Sequence, residues 1–247
     1  ALSERAALLS KCDLMTSMVG EFPALQGIMG RYYAQHDGEP AEVAQALDEQ
    51  YMPRFAGDRL PQTGAGQALA LADRLDTLVG IFAIGQAPTG EKDPFGLRRA
   101  ALGALRIMIT RQLDLDLEML LEDAARRFPA GIVAAGTVET VFDFMMERLR
   151  GYYLEDGVRP DVFEVVLARR PTRPLDFDRR IRAVTAFRAL PAAESLAAAN
   201  KRIRNILKQA EGPVSTTPAL ESLVEPAERI LAERVAALAE EVGPLLD

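Results

Sequence analysis

Between positions 169 and 208 the sequence sets eleven cations against three acids, Asp176, Asp178 and Glu194. The cations are Arg169, Arg170, Arg173, Arg179, Arg180, Arg182 and Arg188, then Lys201, Arg202, Arg204 and Lys208. This leaves +8 on the segment in a chain of −7, so the remainder carries −15. Guanidinium groups hold phosphate through paired planar hydrogen bonds, so the segment is a candidate RNA-binding surface. Arg179 and Arg182 share a helical face, as do Lys201, Arg204 and Lys208. The same charges also suit plain solvation, or pairing with the acidic remainder. A negative chain is the opposite of the usual basic footprint of a nucleic-acid-binding domain, so any RNA contact must come from a local patch.

Other chemistry has few residues to work with. One histidine and one cysteine among 247 residues exclude an internal disulfide and a multi-cysteine zinc site, which fits a reducing cytoplasm. Nucleophilic catalysis through Cys12 and His36 needs an adjacency that the sequence does not show. Cys12 reads as a small buried thiol in a helix, and His36 as a surface residue of the polar loop 36–39. The turn from Gly85 to Gly90 lacks the Lys-Ser/Thr ending of a phosphate-binding loop. Asp73 and Asp76 lie three apart, opposite an apolar stripe, and read as a solvated face.

The elements that must position these residues are helices. Leu71, Leu75, Leu78 and Phe82 recur at the spacing of one helical stripe, and Leu97, Ala101, Leu105 and Met108 form a second. The turn 85–90 separates them, and Asp93-Pro94 supplies an N-cap and a first-turn proline for a helix starting there. The result is a helical hairpin. Upstream, the pattern predicts helices over 3–18, 24–34 and 40–51, with Gly27 and Gly30 on one face for close packing. Downstream, it predicts helices over 113–128, 137–153, 161–168, 176–190, 192–210 and 225–242. The prolines at 171 and 174 break the chain, and 213–218 reads as a linker. No stretch alternates with period two, so the chain is all-α, with 49% hydrophobic residues to build a core. No run approaches the roughly 20 apolar residues of a membrane span.

Several long segments carry a resemblance to a known family. KCDLMTSMVGEFPALQGIMGRYYAQHDGE (11–39), YMPRFAGDRLP (51–61), ALADRLDTLVGIFAIG (70–85) and PTGEKDPFGLRRAALGALRI (88–107) resemble the β subunit of bacterial heterotetrameric glycyl-tRNA synthetase. VLARRPTRPLDFDRRIRAV (166–184) and AAANKRIRNIL (197–207) continue the likeness. The resemblance implies a cytoplasmic fragment of a longer subunit that positions tRNA(Gly) for glycylation by an α subunit in an α2β2 enzyme. It implies no contact with DNA or membrane. ATP and Mg would belong to the α subunit, leaving this chain without a cofactor or catalytic residues of its own.

The N-terminal part also resembles the HD phosphohydrolase superfamily, whose His-Asp doublet, further histidines and distal Asp hold metals. Here Lys11-Cys12-Asp13 stands near the doublet, His36 near a later histidine, and Asp73 in the closing segment Ala72-Asp73-Arg74-Leu75-Asp76. A catalytic metal needs several neutral imidazoles and an open position. A chain with one histidine and a lysine near the ligand site is therefore expected to bind no metal. The expected organisation is an HD-like helical bundle over 1–112, a helical body over 113–190, and the start of a truncated helical anticodon-binding domain over 191–247. The basic segment 169–208 is the leading RNA surface, with Arg31, Arg54, Arg98 and Arg99 as secondary candidates. The alternatives are a structural connector without RNA contact and an HD-type metal-dependent phosphohydrolase.

Overall fold

Apolar stripes at helical spacing require partners, and in the computed structural model, which describes residues 1–209 and 223–246, the two central stripes are buried together. Helix α5 (Gly64–Ala83) starts at Thr63, whose hydroxyl accepts the Gly66 N–H at 3.0 Å. Leu71, Leu75 and Leu78 are buried, and Phe82 packs half-buried against the same core. Helix α6 (Leu97–Thr110) buries Leu97, Ala101, Leu105 and Met108. Its start is three residues past the expected Pro94. Asp93-Pro94-Phe95 forms a turn instead, and Gly96 takes a left-handed backbone with φ 65°. From before that turn Asp93 still caps the helix, accepting the Leu97 and Arg98 N–H groups at 2.8 and 2.9 Å.

The chain divides into two compact units, Ala1–Phe187 and Arg188–Asp247, so residues 113–187 belong to the same unit as 1–112. In the first unit α7 (Leu117–Arg127) and α8 (Thr137–Glu155) pack on α5, and α6 packs on α8. Next come α9 (Pro160–Leu167) and α10 (Pro174–Arg188). Phe163 and Phe177 meet at 5.1 Å between ring centroids beneath Tyr153. The Tyr153 hydroxyl donates to buried Asp178 at 2.8 Å.

The N-terminal helix expected over 3–18 is broken. It comprises α1 (Leu2–Leu8), a 3-10 turn (Cys12–Met15) and α2 (Ser17–Glu21), with Lys11 left-handed at φ 61°. The break turns Asp13 inward, where its carboxylate accepts the Gly27 N–H at 2.6 Å and the Tyr51 hydroxyl at 2.9 Å. It also leaves Cys12 exposed, correcting the buried thiol expected from a continuous helix. Helix α3 (Ile28–His36) begins after Gly27, whose φ is 80° and whose α-carbon faces the Tyr51 ring. Gly30 backs onto Asp13, so the paired glycines do serve close packing, although only one lies inside the helix. Helix α4 (Ala41–Glu49) completes this region.

The second unit contains α11 (Ala193–Gln209) and α12 (Pro226–Leu246). Leu196, Ile203, Ile206 and Leu207 of α11 are exposed, as are Ile230, Leu231, Val235 and Leu238 of α12. The linker expected at 213–218 lies outside the described residues. Among the described residues there are twelve α-helices and no strand, only an isolated bridge between Thr89 and Lys92. The chain is all-α, and no described helix is long and apolar enough to cross a membrane.

Candidate nucleic-acid interface

The basic segment 169–208 straddles the two units, and its charges have different partners. In the first unit, Arg170 lies 3.1 Å from Asp143 and within 4.0 Å of Glu118 and Glu139, with its guanidinium 4.8 Å from the Phe142 ring centroid. Arg173 pairs with Asp114 at 3.1 Å, Arg180 with Asp176 at 2.7 Å and Arg182 with Asp178 at 2.7 Å. These four arginines are tied to carboxylates of their own unit. Exposed Arg169 and Arg179 make no side-chain ion pair among the described residues. On α11, Lys201, Arg202, Arg204 and Lys208 are all exposed and none meets a carboxylate among the described residues. Arg188 is also exposed.

The secondary candidates differ in the same way. Arg31 lies 3.7 Å from buried Asp48 and 5.2 Å from the Tyr32 ring centroid, with its Nε buried and unpartnered. Arg54 holds Asp58 through its side chain at 3.0 Å and its N–H at 2.9 Å. Burial opposes ionisation of Asp58, but the bonds from Arg54 and the Arg59 N–H outweigh it and hold the carboxyl below its ordinary value. Arg98 donates to the Gly90 carbonyl, while exposed Arg99 makes no ion pair among the described residues.

Arg98 and Arg99 open onto a groove of about 340 Å³ between α6 and α8, where Arg106, Arg148 and Arg150 join them. The charge pattern of the sequence does not single out Arg106 or the α8 arginines. Arg99, Leu102 and Arg106 do recur at i, i+3 and i+7, a helical face that periodicity could have shown. Its meeting with α8 is a tertiary fact that no local pattern carries.

One buried cation holds this region together. Arg74 of α5 donates to the carbonyls of Gln50, Ala70, Tyr51 and Pro53 at 2.8 to 3.2 Å. Burial pushes its guanidinium down to about 10, still charged at neutral pH. Gly103 of α6 admits this arrangement, because a Cβ there would lie 2.9 Å from Arg74 Nε and 3.4 Å from Pro53.

The residues resembling an HD centre do not fit a metal. The Lys11 ammonium sits directly on the Asp73 carboxylate, placing a fixed cation where a metal's charge would have to go. Asp13 is committed to Gly27 and Tyr51, and His36 is exposed beside Asp37 at 3.2 Å. Among the described residues no three His, Cys, Asp or Glu side chains gather around a common point.

Comparison with known proteins places this helical, arginine-presenting chain among aminoacyl-tRNA synthetase subunits. The chain belongs to the glycyl-tRNA synthetase beta subunit family, whose sequence model matches residues 1–168. It is 58% identical over 245 residues to the glycine–tRNA ligase beta subunit of Aeromonas salmonicida, covering 99% of this chain and 36% of that protein. It is 57% identical over 246 residues to the same subunit of Haemophilus influenzae strain PittEE, covering 100% and 36%. The chain thus spans little more than a third of the curated relatives it matches.

Proposed function

We propose that this chain binds and positions tRNA(Gly) for glycylation, within a cytoplasmic α2β2 glycine–tRNA ligase whose α subunit handles ATP, Mg and glycine. Its own contribution is electrostatic and geometric, with no cofactor and no catalytic residue. Family membership supports the reading, and the observation that carries it is the set of four α11 cations, Lys201, Arg202, Arg204 and Lys208, without carboxylate partners among the described residues. Arginine and lysine left unneutralised on an exposed helix are free to replace the counterions of phosphates. The paired arginines of α10 favour a second reading for that stretch, a structural connector without RNA contact.

The test is titration of the chain, assembled with its α subunit, with tRNA(Gly) and a non-cognate tRNA at two salt concentrations. Salt-sensitive binding that weakens in a Lys201→Glu/Arg204→Glu variant is the expected result, with a shallower salt slope because fewer phosphates are neutralised. Binding unchanged in that variant supports the connector.

A further inference from the structure

The groove between α6 and α8 gathers five arginines, of which Arg99 and Arg106 make no ion pair among the described residues. Resting on the RNA reading above, we propose that it holds a single unpaired nucleotide of RNA, its phosphate among Arg99, Arg106 and Arg148 and its base on the Phe55 ring.

The unused donors point to an anion. Arg99 has no ion pair among the described residues, and Arg106 reaches only the Asp58 carbonyl, at 3.5 Å. Arg148 pairs loosely with Glu147 at 3.8 Å and lies 5.6 Å from the Phe144 ring centroid, but its Nε is buried without a hydrogen-bond partner. By contrast, Arg98 and Arg150 are already engaged with the Gly90 carbonyl and Glu164. Five arginines line the groove against two acids, Glu147 and Glu155, so its potential is positive in a chain of net −7. Guanidinium donors that the protein itself leaves without an acceptor are satisfied by water or by an anionic ligand.

The third wall points to a base. The segment after α4 contributes Pro53 and Phe55, and Phe55 is 61% exposed beside the arginines. An exposed aromatic face next to phosphate-binding cations is the arrangement that holds single-stranded nucleic acid, because every base can stack. An acidic peptide would use the arginines but leave Phe55 without a purpose. About 340 Å³ gives room for one nucleotide. Arg74 and Gly103 fix the Pro53 wall against α6, so the site is preorganised.

The probe is a fluorescein-labelled single-stranded RNA tetranucleotide, titrated into the 247-residue chain, with an RNA hairpin and an oligoglutamate peptide as competitors. The single strand is expected to bind in a salt-dependent way and to outcompete both. Arg99→Gln/Arg106→Gln should weaken binding about tenfold or more and lower the salt slope by about 0.7 for each phosphate no longer neutralised. Phe55→Ala should weaken binding roughly fivefold to a hundredfold without changing the slope, and Phe55→Tyr should restore it. Thermal melts confirm that each variant is folded. Lys201→Glu/Arg204→Glu should leave the tetranucleotide affinity unchanged. Absence of tetranucleotide binding, equal affinity in the Arg99/Arg106 variant, or preference for hairpin or peptide overturns the proposal. Binding of tRNA without the tetranucleotide refutes the groove alone, whereas the converse refutes the tRNA reading alone.

Discussion

Replacing Arg74 with Met keeps most of the aliphatic stem and removes the fork that organises the 50–53 segment. Three of its four acceptors, the carbonyls of Gln50, Tyr51 and Pro53, lie beyond the end of α4 and receive no backbone N–H among the described residues. The fourth, Ala70, lies within α5 one turn before Arg74. Orphaning these carbonyls, those of Gln50 and Pro53 buried and that of Tyr51 partly so, costs roughly 1–3 kcal/mol each. Relief of the buried charge works the other way. Its size follows from the depression of the guanidinium from 12.5 to about 10, which at about 1.4 kcal/mol per unit returns about 3 kcal/mol. At about 2 kcal/mol per carbonyl the orphaned groups outweigh that relief, and the net loss is about 3 kcal/mol. For a unit of this size that lowers Tm by roughly 6–12 °C. Urea unfolding followed by far-UV circular dichroism measures it directly. Arg74→Lys should lose nearly as much, since an ammonium retains the desolvation cost but cannot span four carbonyls. A loss below about 1 kcal/mol for Arg74→Met would show that water reaches these carbonyls. The guanidinium would then not be what holds the segment.

Two further substitutions test the local geometry. Asp116 caps α7, accepting the Met119 N–H at 3.1 Å and the Thr172 hydroxyl at 2.6 Å, and despite burial these bonds and Arg173 hold its carboxyl below the ordinary value. A depressed carboxyl stabilises the fold above its unfolded pKa near 4, and that stability is lost as pH falls through the folded value. Asp116→Ala should therefore cost about 0.5–2 kcal/mol at neutral pH and flatten the acid limb when urea midpoints are measured from about pH 7 to about pH 3. Gly66→Ala should destabilise by about 1–3 kcal/mol although Ala is the better helix former, because the new Cβ would lie 2.2 Å from Glu49 Oε2 and 2.8 Å from Glu49 Cβ. Glu49 cannot simply retreat, since it is buried and holds the Thr63 N–H and hydroxyl at 2.9 and 2.7 Å. A raised melting temperature would show that the α4–α5 junction relaxes freely.

Helical periodicity was legible because burial enforces it. Leu71, Leu75, Leu78 and the Leu97–Met108 stripe are buried as their spacing requires. Where elements end was less legible, since a long-range partner decided the matter. Lys11 turns left-handed so that Asp13 can reach Gly27 and Tyr51, fourteen and thirty-eight residues away, and no local propensity records that. At Asp93 the residue type did signal a cap, yet the helix begins later because Gly96 permits one more turn of loop before it.

The charges show a sharper limit. Clustering of arginine in sequence says that positive charge is concentrated, but not whether it is already neutralised. Arg170, Arg173, Arg180 and Arg182 stand in the segment that sequence marked most strongly, and each finds a carboxylate within its own unit. Asp114 and Asp143, which answer two of them, come from 59 and 27 residues away. Conversely Arg99, Arg106 and Arg148 stand outside that segment, and α6 and α8 leave them facing one groove with donors unused. For recognition of phosphate the relevant quantity is the cation left over after the fold has made its own ion pairs. An exposed pair contributes little to stability, yet its partner competes with any incoming phosphate for the same guanidinium. Arg99 and Arg106 of the groove and the cations of α11 are therefore where substitution should change RNA affinity most for the least change in folding stability.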